Sequence, residues 1–136
     1  MQGDQWLHVA GVYDGTHMRT FVNGVEQGDR AISFQGAGDC DGPLRIGADA
    51  ATGQFPMNGI IDEVRLSSVG RYSANFTPPT APFTTDGDTV ALWHFDGSGQ
   101  AVADETAQHD GTLGATDQAE ADDPGRVGVP CIGQLR

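Results

Sequence analysis

The stretch QWLHVAGVYDGTHMRTFVNG, residues 5–24, decides the fold class. Trp6, His8, Ala10 and Val12 alternate with Leu7, Val9, Gly11 and Tyr13. Both sets are largely apolar, the pattern of a strand within a sandwich. Asp14-Gly15 is a hairpin turn pair. Met18, Thr20 and Val22 then alternate with Arg19, Phe21 and Asn23, and Asn23-Gly24 supplies a second two-residue turn before Val25-Glu26-Gln27. Two turns joining alternating segments predict a β-meander.

The rest of the chain repeats this grammar of short segments and turns. Residues 35–42 (QGAGDCDG) form a loop, 43–47 (PLRIG) a short strand, and 48–57 another loop. Residues 59–67 (GIIDEVRLS) predict a strand with Ile60, Asp62, Val64 and Leu66 on one face and Ile61, Glu63 and Arg65 on the other. Residues 69–72 read as one helical turn. Residues 75–88 hold three prolines and predict an extended connector that crosses the surface without central pairing. Residues 89–95 (TVALWHF) are a strand, with Val90, Leu92 and His94 opposite Ala91, Trp93 and Phe95. Asp96-Gly97-Ser98-Gly99 turns the chain, and 102–104 and 111–113 read as short edge strands. The acidic tail, residues 115–136, is poor in apolar side chains over 115–125 and is expected to be flexible. Such spacing points to an all-β, antiparallel sandwich or jelly roll.

Composition agrees. A length of 136 residues argues for one domain, and 20 glycines with 7 prolines favour short elements over long helices. The net charge is −12 and all 7 basic residues are arginine. An acidic surface repels phosphate backbones, so no nucleic-acid partner is expected. No apolar run approaches the length of a membrane span, so no membrane insertion is expected. Cys40 and Cys131 stand 91 residues apart, outside any metal-ligand spacing. They are either one long-range disulfide or two free thiols.

The motifs W-x-H-V-A-x-x-Y-D-G-T and F-V-N-G over 6–24, L-R-I-G at 44–47 and G-x-I-D-E-V-R-L-S at 59–67 resemble the laminin G-like branch of the concanavalin A-like lectin/glucanase superfamily. Their order matches the second half of that jelly roll. A-L-W-H-F-D-G-S-G-Q-A-V-A-D-E-T at 91–106 and H-D-G-T-L-G at 109–114 resemble its opening strands, here placed after the rest. The resemblance implies a truncated or circularly permuted sandwich. Residues 1–73 would be the second half of the module, 74–88 the connector, and 89–114 the strands of N-terminal type. Either the chain spans two tandem modules, or its C-terminal strands fold back to fill the missing edge. The absent strands leave an apolar face or open edges, so a homodimer is expected.

The resemblance further implies a non-catalytic module for a carbohydrate or protein ligand, of adhesion or targeting type. An assembly module that binds no sugar is the alternative, and a hydrolase a weaker one. Tyr13, Phe55 and Tyr72 near turns, and Trp93, are the candidate ligand-binding aromatics, through flat apolar faces and polar tips. Relatives hold calcium at a sandwich edge, and here Asp39, Asp41 and Asp49 in glycine-rich loops are the candidate oxygen ligands. The superfamily's glucanases carry same-face carboxylates two residues apart. Asp62 and Glu63 are adjacent and point to opposite faces, which disfavours glycoside hydrolysis. Asp62 is expected to hold a hydrogen-bonding role, and His8 and His94 structural ones. Residues 1–4 show no signal-peptide pattern, so the chain by itself is expected to stay inside the cell, whereas the family context points outside it.

Overall fold

The computed structural model describes residues 5–32, 44–48 and 57–114. The meander forms as predicted: β1 (Val9–Tyr13), β2 (His17–Val22) and β3 (Val25–Ala31) make one antiparallel sheet in that order. Its two turns explain the register. Asp14 Oδ1 accepts from the backbone N–H groups of Thr16 (2.9 Å) and His17 (2.7 Å). Its Oδ2 accepts from Arg19 Nη1 at 2.5 Å, and together these donors hold the carboxyl well below the usual carboxylate range, Arg19 foremost. At the second turn Asn23 (φ 50°) and Gly24 (φ 76°) are both left-handed, as a primed hairpin turn requires. Gln27 is the extra residue of a bulge, because Phe21 pairs with Glu26 and Thr20 with Gly28.

The direct cross-strand partners sort this sheet into two faces. One carries Ala10, Val12, Arg19 and Phe21. The other carries Val9, Gly11, Tyr13, Met18, Thr20, Val22, Val25, Gly28 and Arg30. The first is covered. Phe21 is fully buried, with edge contacts to Tyr72 (6.2 Å between centroids) and Phe76 (5.5 Å), and His8 makes edge contacts of 5.4–6.2 Å with Tyr72, Phe76 and Phe83. Tyr72 and Phe76 stack at 3.6 Å. The second face is open: Val9 is 69% exposed, Val25 52%, Met18 44% and Tyr13 43%.

β4 (Val64–Ser67) pairs antiparallel with β5 (Thr89–Trp93) of the same chain, and β6 (Ala101–Val102) with β7 (Gly111–Thr112). The connector between β4 and β5 leaves and returns at one point. Ser68 N–H donates to Asp88 O, and Arg71 clamps Asp86 with two hydrogen bonds of 2.8 and 2.6 Å. No strand forms within it, as its prolines predict, yet it is more than a surface crossing, since it supplies Phe76 and Phe83 to the aromatic layer. Ala91, Trp93 and Val102 form a second buried cluster, flanked by Ile46, Val64, Phe95 and Leu113.

Three local readings are corrected. Residues 44–47 form no strand. The strand over 59–67 shrinks to Val64–Ser67, because its partner ends at Trp93: Phe95 turns left-handed at φ 59° and leads the chain away. The helical turn over 69–72 is absent. Gly70 lies against β1 there, where an added Cβ would meet Val12 Cγ1 at 3.0 Å, and Arg71 is drawn to Ser67 and Asp86. Cys40 and Cys131 lie outside the described residues.

Candidate functional site

Beyond β5 the chain builds an open groove of about 370 Å³, lined by His94, Phe95, Asp96, Ser98, Glu105 and Asp110 among others. Its wall is organised by one carboxylate. Asp104, only 3% exposed, accepts from Leu92 N (2.8 Å) and Thr106 N (3.1 Å) through Oδ1. Through Oδ2 it accepts from the Thr106 hydroxyl, Gln108 N (3.3 Å) and His109 N (3.0 Å). Burial by itself raises the pKa of this carboxyl. The hydrogen bonds from Thr106, Leu92 and Gln108 outweigh burial and hold it well below the usual range. The loop after Asp104 is thereby pinned along the free edge of β5, with Glu105 N–H on Leu92 O and the Thr106 hydroxyl on Val90 O. Asp110 closes it by accepting from Asp104 N at 2.9 Å. Glu105 and Asp110 are thus presented on the groove by a fixed backbone.

The floor carries strain. Phe95 is a bulky residue with positive φ, which costs on the order of 1–3 kcal/mol. Packing against Ala91, Trp93 and Val102 offsets it. The other wall is His94, whose Nδ1 lies 2.6 Å from Glu63 Oε1. The Glu63 side chain is 5% exposed and its second oxygen accepts from Phe83 N at 3.2 Å. These two residues face each other because Val64 pairs with Trp93, which sets Glu63 opposite His94.

A family model described as belonging to the Concanavalin A-like lectin/glucanases superfamily, that of a laminin G domain, matches residues 1–75. The chain belongs to this superfamily. No curated protein and no solved structure matches the chain. The architecture, all-β and antiparallel with no helix among the described residues, is that of a truncated concanavalin A-like sandwich. The matched residues build β1 to β4 and supply Glu63 behind His94; the groove lining itself comes from residues 94–110, beyond the match.

Against this concanavalin A-like frame the predicted site residues scatter. Trp93 is a core residue and no ligand platform: it is 6% exposed, and its indole N–H donates to His109 O at 2.9 Å. Tyr72 spends one ring face on Phe76 inside the aromatic layer. Tyr13 is exposed on the open sheet face, its hydroxyl donating to Gly15 O at 2.9 Å. It sits at the end of β1 remote from His8 and the ring cluster, so Tyr13 and Tyr72 do not share one rim. Phe55, Asp39, Asp41 and Asp49 lie outside the described residues. Among the described residues no group of three or more His, Cys, Asp or Glu side chains is placed to hold a metal ion. Next to Asp62, Glu63 carries the hydrogen bonds described above, its side chain 5% exposed.

The groove residues Asp96, Glu105 and Asp110 were not singled out by sequence reasoning. One signal for the wall exists: Asp104 followed two residues later by Thr106 is the spacing of a local carboxylate-centred turn. The Glu63–His94 pair has no local signal, because it depends on the register of strands separated by the connector.

Proposed function

We propose that the chain is a non-catalytic binding module whose groove beyond β5 takes a neutral carbohydrate. The observation that carries this reading is the groove's lining. Three carboxylates, Asp96, Glu105 and Asp110, stand beside His94 over an apolar floor of Phe95 and Val102. Carboxylates accept pairs of sugar hydroxyls, an apolar floor takes the ring's C–H face, and a volume of about 370 Å³ suits a small saccharide. The acidic lining and the net charge of −12 disfavour sulfated or uronic glycans and nucleic acid alike. A binding role without turnover is supported by the carboxylates' settings. Glu63 is committed to His94 and Phe83, and Asp96 and Glu105 are open to water, whereas a glycosidase acid works in dry surroundings. Calcium at Asp39, Asp41 and Asp49 belongs to the same proposal and rests on the sequence. A glycan array read with and without a chelator tests it. Specific binding of neutral glycans is expected, and loss with chelator would add the calcium. Turnover of a polysaccharide, or silence across the array, would overturn the reading.

The open face of the β1–β3 sheet favours a second role, assembly with another copy of this chain. Val9, Tyr13, Met18, Val22 and Val25 share that face with no acidic side chain. It is where two copies of a strongly acidic chain can meet without apposing carboxylates.

A further inference from the structure

We infer that His94 is the specificity-determining contact of the groove and that Glu63 is its positioning residue. This rests on the reading of the groove as the ligand site. The Glu63 carboxylate is almost fully buried, and it approaches the imidazole at Nδ1 to 2.6 Å. An ionised carboxylate only accepts, so the proton of the neutral ring resides on Nδ1. Nε2 is left as a bare acceptor. No other hydrogen bond to the ring is made among the described residues, and His94 is one of the groove's lining residues. Phe83 N–H, donating to the second oxygen of Glu63, fixes the carboxylate in turn. The histidine is thus set twice, by strand register and by a buried acid, for one tautomer.

The consequence is chemical selectivity. With Nε2 an acceptor and Asp96, Glu105 and Asp110 acceptors too, the groove offers acceptors to its ligand on every polar side chain but Ser98 among its described lining residues. It selects ligands that donate, namely saccharides with free hydroxyls pointing into it. It rejects ligands that only accept, such as sulfate esters and carboxylates. The buried glutamate is what removes the alternative tautomer, in which Nε2–H would donate and soften that selection.

The test is histidine ring spectroscopy on the ¹⁵N-labelled chain at about pH 8, above the ordinary histidine range. His94→Gln assigns the signals. In the unmodified protein His94 is expected in the Nδ1–H form, and Glu63→Gln is expected to move it toward the Nε2–H form that free imidazole side chains prefer. Titration with neutral gluco-, galacto- and manno-oligosaccharides is expected to shift the His94 Nε2 signal. Both variants are expected to weaken that binding about tenfold, the loss of one hydrogen bond. A heparin oligosaccharide is the anionic probe, dense in sulfates and carboxylates that only accept, and is expected to leave the signal in place. An Nε2–H tautomer in the unmodified protein overturns this inference alone, whatever the groove binds. So does saccharide binding that both variants leave unchanged. Failure of every saccharide to shift any groove signal overturns the reading of the groove beneath it. Should Glu63→Gln fail to fold, the tautomer of the unmodified protein and the binding of His94→Gln decide the matter.

Discussion

At the scale of single residues, His8 is the most exposed to solution conditions. Its backbone is tied to Asn23, but its ring is enclosed by Tyr72, Phe76 and Phe83, and its buried Nδ1 has no hydrogen-bond partner among the described residues. Burial first, and the nearby Arg65 guanidinium second, push its pKa below the ordinary 6.5, against a smaller opposing backbone hydrogen bond. The folded protein therefore holds the neutral ring, while the unfolded chain takes up a proton near 6.5. Stability from this residue is complete above that value. It falls as pH drops below it, and levels off once the folded ring also protonates. Asp14, Asp86 and Asp104 behave in the opposite range, because their depressed carboxyls lose stabilisation only as pH falls below 3.8. Urea midpoints are thus expected to decline over the interval just below pH 6.5 from His8. His8→Phe is expected to flatten that interval. It also removes an unsatisfied buried atom, so stability at neutral pH should hold or rise by about 1 kcal/mol. An unchanged slope in the variant would assign the titration elsewhere.

Elements in this fold are joined by turns whose chemistry is local and by contacts whose chemistry is not, and Gly24 belongs to both. Its left-handed φ suits the Asn-Gly turn, which local sequence announces. Its missing Cβ has a second reason that no local pattern contains: the connector docks there, Phe76 N–H donates to Gly24 O at 2.9 Å, and an added Cβ would stand 1.9 Å from Phe76 O. Gly24→Ala is therefore expected to cost more than the usual penalty for alanine in a left-handed turn, about 2 kcal/mol or more, measured by chemical denaturation. Gly15→Ala, with positive φ but open space around the Cβ position, should cost only the conformational part. Equal losses in the two would mean that the connector does not depend on that contact. The same division explains what was legible beforehand. Alternation and turn pairs gave β1, β2, β3 and the pairing partners' rough extents, since period and turn type are properties of neighbours in sequence. The length of β4, the burial of Trp93 and the Glu63–His94 pair were not legible. Each is decided by how segments some 20–30 residues apart align, and that alignment is set by Phe95 turning the chain and by Arg71 closing the connector on Asp86.

For the whole molecule the governing quantity is a net charge of −12 on a sandwich that leaves one sheet face apolar. Apolar exposure favours association, and like charge opposes it. The geometry separates the two: the side chains of the open face are aliphatic, aromatic or small, with Arg30 its one charged member, while Glu26 and Asp29 belong to the opposite face. Over Gly11 no side chain of the described residues fills the space within 4 Å of a Cβ position, so the face is a trough flanked by Val9 and Tyr13 on β1. Two copies packed face to face would bury those ridges, with repulsion acting between the remainders of the molecules at longer range. Repulsion at that range is what salt screens, since the Debye length falls from about 30 Å at 0.01 M to about 8 Å at 0.15 M. Light scattering is therefore expected to give a dimer mass at about 0.15 M salt and a shift toward monomer at about 0.01 M. Val9→Asp with Met18→Glu places carboxylates on the trough's rim. That pair should give monomer at both salts with stability changed by no more than about 0.5 kcal/mol per site, because both side chains are exposed. A monomer mass at every salt would remove the assembly role. A dimer indifferent to both salt and the two substitutions would move its interface away from this face.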